Sequence, residues 1–319
     1  MTIRLLAGDC RDVLPTLPAG SVQCCVTSPP YFGLRDYGHA AQLGLEATPD
    51  AYVAALVDVF RAVREVLADD GTLWLNIGDS YGSGNSGQMV SAHSGGVYNK
   101  LAKFQAATQA PHAREPIAGM HKQLLGIPWR VAFALQADGW TLRQDIIWAK
   151  PNPMPESVTD RCTKAHEYVF LLAKSARYYF DAAAISEAAT MTPQRRFSAV
   201  GYGRETPGRN DHNSRLSLRA EPAREYETRN RRSVWTIATQ PFAEAHFATM
   251  APELARGCIL AGCPPGGVVL DPFAGAGTTG LVADRLQRDA LLIELNPDYV
   301  ALAGDRIRGD APLFAEVTA

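Results

Sequence analysis

Two short stretches carry residue types suited to chemistry. The first is Ser28-Pro29-Pro30-Tyr31, which follows an apolar run with the character of a buried strand. A serine hydroxyl and a proline carbonyl held rigid are two acceptors in fixed positions, able to bind both hydrogens of an amino group. On an aromatic ring such a nitrogen is a poor nucleophile, because its lone pair is delocalised. Fixed acceptors draw it towards sp³ geometry and aim the lone pair at a sulfonium methyl, by positioning and electrostatics rather than covalent catalysis. Proline adds no competing N–H and stiffens the turn. Tyr31 offers a flat face for a base that has left its duplex. Pro-Pro-Tyr alone also fits a plain turn or a polyproline element. Its place after a buried strand favours an active-site edge, since parallel sheets bind ligands at strand carboxyl ends.

The second stretch is Asp271-Pro-Phe273-Ala-Gly275-Ala-Gly277-Thr278, between a strand and a helix. Its glycines permit a sharp turn and close approach of a ligand to the backbone. Glu294 ends the next strand, where a carboxylate accepts hydrogen bonds from ribose hydroxyls. Gly275, Gly277 and Gly280 also satisfy the dinucleotide pattern, so the loop alone leaves NAD open. Chain order argues otherwise. Only one helix fits after Glu294, and a cofactor-binding half needs a third parallel strand. The remaining candidate is residues 3–6, at the opposite end of the sequence, with Asp9 at its carboxyl end within reach of an adenine amino group. The sheet would be circularly permuted.

The elements that must position these residues alternate. Strands are expected at 3–6, 21–27, 72–77, 141–148, 168–172, 177–180, 234–237, 267–270 and 290–295. Helices are expected at 50–67, with Asp50 as its cap, and at 128–137, 252–260, 278–286 and 298–307. Such alternation implies an α/β fold with a mostly parallel sheet covered by helices on both faces. Residues 82–120, rich in Gly, Ser, His and Gln, read as a long functional or mobile loop. Trp148, Trp235 and Phe133 are expected in the core.

The chain has 319 residues, 46% of them hydrophobic, and a net charge of −2. No apolar run suits a membrane helix and no signal peptide is evident, so a cytoplasmic protein is expected. The six cysteines lack metal-ligand spacing, and no metal is expected. Ten arginines against five carboxylates give residues 190–232 a charge of +5, leaving −7 elsewhere. Such a block suits a polyanion-binding face or a solvated loop.

Ser28-Pro-Pro-Tyr31 taken with Asp271-Pro-Phe-Ala-Gly-Ala-Gly-Thr278 resembles the amino-group DNA methyltransferases of bacterial and phage restriction-modification systems, in the permuted order of their β class. Gly8-Asp9-Cys10, Ile147-Trp148-Ala-Lys150-Pro-Asn152-Pro, His166-Glu167-Tyr168 and Ile293-Glu294-Leu-Asn-Pro also look like family segments. The resemblance implies a Rossmann-like fold and S-adenosylmethionine as cofactor. It implies that Ser28, Pro29, Pro30 and Tyr31 hold the target base. Asp271, Phe273, Gly275, Gly277 and Thr278 would surround methionine and ribose, Glu294 the ribose hydroxyls, Asp9 the adenine, and Thr249 the methionine carboxylate. A catalytic half would span 1–181, a target-recognition region 182–233 and a cofactor half 234–319. Arg195, Arg196, Arg204 and Arg209, with Lys150 and Asn152, would contact double-stranded DNA.

Ser at position 28 is commoner in the N4-cytosine enzymes of this family, Asp in the N6-adenine ones. The expected reaction is therefore N4-cytosine methylation, with N6-adenine as the alternative. No cysteine follows a proline, so the nucleophile of carbon-5 methylation is missing. Methylation of RNA or protein glutamine, an NAD-dependent oxidoreductase and a silent nucleotide-binding module are the further rivals. A cognate restriction endonuclease and a homodimer stay open.

Overall fold

The computed structural model describes residues 1–34, 36–37, 39, 41–82, 117–189, 227–240 and 249–310, and the backbone of strands at 197–199, 218–220 and 316–318. The chain forms two compact units, residues 1–184 with 232–319 and residues 185–231.

The first unit begins with β1 (Thr2–Ala7), α1 (Cys10–Val13), β2 (Val22–Thr27), α2 (Pro49–Val66) and β3 (Leu67–Ile77). Next come α3 (Ile127–Ala137), β4 (Thr141–Ala149) and β5 (His166–Ala173). In the second unit, β6 (Glu187–Ala188) pairs antiparallel with β9 (Thr228–Arg229), and β7 (Phe197–Ala199) with β8 (Leu218–Ala220). The first unit then resumes with β10 (Val234–Thr236), α4 (Pro252–Gly262), β11 (Val268–Asp271) and α5 (Thr278–Arg285). It ends with β12 (Asp289–Glu294), α6 (Pro297–Asp310) and β13 (Glu316–Thr318).

Nine strands form one sheet in the order β10-β4-β5-β3-β2-β11-β12-β1-β13. Only β5 runs against its neighbours, β3 and β4. β1 lies parallel to β12, Ile3 opposite Ala290 and Ala7 opposite Glu294, so the N-terminal strand completes the C-terminal half as chain order required. The central strands are apolar on both sides, as helix-covered parallel strands must be. In β2, Val22, Cys24, Cys25 and Val26 are all buried.

Three local expectations fail. Helix α2 is capped by Thr48, whose hydroxyl accepts from Ala51 N–H at 3.1 Å, rather than by Asp50. Pro49, which has no N–H to leave unpaired, occupies the first helical position and moves the cap back. Residues 177–180 form no strand. Tyr179 N–H donates to Asp70, and Phe180 stacks on Trp74 at 6.3 Å between ring centroids. Trp148 and Trp235 are core residues, whereas Phe133 is 56% exposed on α3 beside Trp129. The other expected elements stand within a few residues of their bounds, except that β3 starts five residues early, at Leu67; α1, β6 to β9 and β13 have no counterpart among the expected elements.

Candidate active site

Four neighbouring parallel strands, β2, β11, β12 and β1, end on one side of the sheet. Their carboxyl ends deliver Ser28, the glycine loop, Glu294 and Asp9 in a row spanning ~14 Å at the usual strand spacing.

Asp271 joins the two motifs. It is 3% exposed, and its Oδ1 accepts from Thr27 Oγ1 at 2.6 Å and from Phe273 N–H at 3.0 Å. Its Oδ2 accepts from Thr279 Oγ1 at 2.6 Å. Thr27 immediately precedes Ser28, so one carboxylate fixes the serine-proline corner against the glycine loop. Burial pushes the Asp271 carboxyl above its ordinary range, opposed by these hydrogen bonds. Expected as a cofactor contact, Asp271 is buried, with both its oxygens accepting hydrogen bonds from within the protein.

The loop itself is braced from several sides. Ala274 N–H donates to Ile293, and Arg306 donates to the Ala276 carbonyl at 3.0 Å and to Thr278 Oγ1 at 2.9 Å. Thr278 is thereby buried at 4% exposure. The two loop glycines have different reasons to be glycine. Gly277 has φ +72°, and a Cβ there would stand 2.8 Å from that of Ala303 on α6, so it serves helix packing. Gly275, at φ +51°, faces open space. A Cβ would thus meet no obstacle within the protein at Gly275.

Glu294 Oε2 accepts from Gly275 N–H at 2.8 Å and Oε1 from Asn296 N–H at 2.9 Å. Each oxygen keeps a further lone-pair site for a ligand hydroxyl. Burial raises this carboxyl above its ordinary range, against those backbone bonds. Asp9 caps α1 and is gripped by Arg11, whose guanidinium Nε lies 2.9 Å from Oδ1. The Arg11 hydrogen bond holds the Asp9 carboxyl below its usual range.

At the corner, the Pro30 carbonyl accepts from Tyr52 Oη at 2.8 Å, while the Pro29 carbonyl accepts no hydrogen bond from the described residues. Ser28 Oγ lies 3.3 Å from Tyr31 Oη, which donates to Glu167 Oε2 at 2.7 Å. Asn76 Nδ2 donates to the same carboxylate at 2.9 Å, and Lys150 Nζ pairs with its other oxygen. The Tyr31 ring lies against Gly78, where a Cβ would come within 2.6 Å of it.

Lys150 is thus engaged by Glu167 and by the Trp148 ring, 4.4 Å from its centroid. Asn152 is paired with the Thr239 backbone, donating at 3.3 Å and accepting at 3.0 Å. Thr249 is partly buried, two residues before Ala251, the cap of α4. Arg195, Arg196, Arg204 and Arg209 lie outside the described residues. Sequence reasoning gave no role to Glu167, Asn76, Thr27 or Thr279. Asn76 was findable as an amide in the otherwise apolar run Leu73–Ile77.

A sheet of this order, with a glycine loop and acid-ended strands beside a serine-proline corner, defines a class: the Rossmann-like methyltransferase fold in permuted order. The chain belongs to the DNA methylase family of N6/N4 amino-methyltransferases, whose model matches residues 22–305. It is 47% identical over 305 residues to the Type II methyltransferase M.XycI of Xanthomonas campestris pv. cyanopsidis, covering 96% of this chain and 87% of that protein. It is 45% identical over 306 residues to the Type II methyltransferase M.Cfr9I of Citrobacter freundii, covering 96% and 88%. Among solved structures it is similar to a DNA modification methylase of Thermus thermophilus, TTHA0409, complexed with S-adenosyl-L-methionine. That match has TM-score 0.59 and 25% identity, over 99% of this chain and 98% of that one. The PvuII DNA methyltransferase (cytosine-N4-specific) shares the fold at TM-score 0.62 and 17% identity, over 99% and 96%.

Proposed function

We propose that the protein transfers the methyl group of S-adenosyl-L-methionine to the exocyclic N4 nitrogen of a flipped-out cytosine within a specific DNA sequence. One observation carries the reading: a hydroxyl, Ser28, and a carbonyl that accepts no hydrogen bond from the described residues, Pro29, are tied through Thr27 and Asp271 to a glycine loop with open space at Gly275. The residues present suit this cofactor, because Gly275 leaves room for close approach and Glu294 keeps lone pairs for ribose hydroxyls. Phe273 would flank the ribose and methionine, Asp9 would meet the adenine and Thr249 the methionine carboxylate. Asp271, Gly277 and Thr278 would hold the loop in shape. When bound, the cofactor supplies a methyl carbon activated by a positively charged sulfur.

The chain's own residues do the rest by positioning. Ser28 Oγ and the Pro29 carbonyl take the two amino hydrogens, and Tyr31 flanks the extruded base. Serine at position 28 supports cytosine over adenine. The arginine-rich stretch, including Arg195, Arg196, Arg204 and Arg209, would read guanines and grip phosphates, with Lys150 and Asn152 near the extruded base. As a Type II enzyme it would work in the cytoplasm beside a nuclease of the same recognition sequence; a homodimer is compatible with this role.

The test is nucleoside mass spectrometry on duplex DNA incubated with the protein and labelled cofactor. N4-methylcytosine is expected. N6-methyladenine in its place overturns the choice of base, and unlabelled DNA overturns methylation of DNA altogether.

A further inference from the structure

Glu167, near the start of β5, has no part in the chemistry described so far, yet it links Asn76 and Lys150 to the Tyr31 hydroxyl. Its Oε2 accepts from Tyr31 Oη at 2.7 Å and from Asn76 Nδ2 at 2.9 Å, and Lys150 holds Oε1. Asn76 Nδ2 also donates to Tyr31 Oη at 3.2 Å, and Ser28 Oγ lies 3.3 Å from that same oxygen.

The direction of these hydrogen bonds is forced. An ionised carboxylate only accepts, and a phenol has a single proton to give. That proton goes to Glu167. Tyr31 Oη then has only lone pairs left, one for Asn76 and one for Ser28. The Ser28 hydroxyl therefore gives its proton to Tyr31 and turns a lone pair towards the base. We propose that Glu167, acting through the Tyr31 hydroxyl, fixes Ser28 as an acceptor and so selects an amino group over a keto oxygen at this corner. Glu167 is a positioning residue in this scheme. The inference rests on the amino-transfer reading above and deepens it.

The groups facing Glu167 are Lys150 just after β4, Asn76 on β3, Tyr31 after β2 and Lys164 just before β5. Burial opposes its charge, but the Lys150 ammonium and the hydrogen bonds from Lys150, Tyr31 and Asn76 outweigh it and hold the carboxyl below its usual range. A protonated Glu167 could donate to Tyr31. Tyr31 would then donate to Ser28, whose own proton would meet the amino hydrogens.

The experiment is a double-mutant cycle on the full chain, read as labelled methyl transfer to duplex DNA at saturating DNA and cofactor. E167Q is expected to lower kcat about ten- to a hundredfold while leaving KM for DNA and S-adenosylhomocysteine binding within about threefold. Y31F removes the relay, so E167Q/Y31F should be no slower than Y31F alone; losses that multiply overturn the inference. In K150M the buried carboxyl loses its cation and its pKa rises. Turnover should then fall as the solution is acidified from neutrality, over a range where wild type holds steady and E167Q stays uniformly slow. A K150M profile parallel to wild type overturns the inference even if E167Q fails to fold. Absence of methylation by the wild type would instead remove the amino-transfer reading beneath it.

Discussion

Asparagine and alanine at position 271 should give opposite outcomes. Among the described residues, the buried Asp271 carboxylate makes no ion pair and receives three hydrogen bonds, from Thr27, Phe273 and Thr279. Asparagine keeps its shape. Its carbonyl oxygen still accepts from Thr27 and Phe273, and its amide N–H donates to Thr279 Oγ1. Thr279 then needs another acceptor for its own proton, and the Val26 carbonyl already lies 3.4 Å away. One amide hydrogen gains no partner among the described residues, but the buried charge disappears and offsets that cost, so Asp271→Asn should lie within about 1 kcal/mol of wild type at neutral pH. Alanine leaves Thr27 Oγ1 and Phe273 N–H without an acceptor. At about 1–3 kcal/mol for each orphaned donor, the loss should be about 4 kcal/mol.

Urea unfolding of the three proteins gives these differences. The sign of the pH dependence is a second check. Asp271 has a folded pKa above its unfolded value, so its contribution is fully present below the unfolded pKa and lost as pH rises through the folded one. Wild type should therefore gain stability relative to Asp271→Asn as the solution is acidified from neutrality towards the ordinary carboxylate range. If asparagine costs as much as alanine, or the gap closes on alkalinisation instead, Asp271 serves as a charge and the argument for a neutralisable brace is wrong. Binding of S-adenosylhomocysteine should change by less than about threefold in the asparagine variant, because Asp271 lies beneath the loop.

Gly277→Ala should cost about 1–3 kcal/mol in urea unfolding, through its left-handed backbone and the clash with Ala303. Gly275→Ala should cost about 1 kcal/mol but weaken S-adenosylhomocysteine binding by calorimetry; equal affinities for both variants would contradict the split between them. Ser28→Ala should lower kcat by about a hundredfold or more with cofactor affinity nearly intact, and wild-type turnover would remove Ser28 from catalysis. Gly78→Ala, by forcing the Tyr31 ring aside, should cut turnover about tenfold with little change in stability; an unchanged kcat would show that the ring tolerates displacement.

The parts of this architecture legible in the sequence are those with a local signature. The apolar runs of β2 and β11, the proline after β2 and the glycines after β11 mark strand ends directly. Even the pairing of β1 with β12 followed from counting, because the cofactor half lacked a strand. What stayed hidden depends on distant partners. Nothing near Asp271 announces that its acceptors face Thr27, 244 residues away. Glu167 reads as one more polar residue until β3, β4 and β5 set it beside Asn76 and Lys150. Gly277 and Gly275 look equivalent in a motif, and only the approach of α6 tells the packed glycine from the open one.

The partnership of β1 with β12 has a consequence for synthesis. Thr2 N–H bonds Asp289, 287 residues further along, so β1 must wait for β12 to be made. Closing so long a loop is entropically costly and slow, while α2, β2 and β3 can associate at once from local contacts. On a ribosome the Asp9 end of this row would lack its neighbouring strand until β12 has emerged. A prematurely released polypeptide would carry the serine-proline corner without a completed place for the methyl donor, and so could not mark DNA.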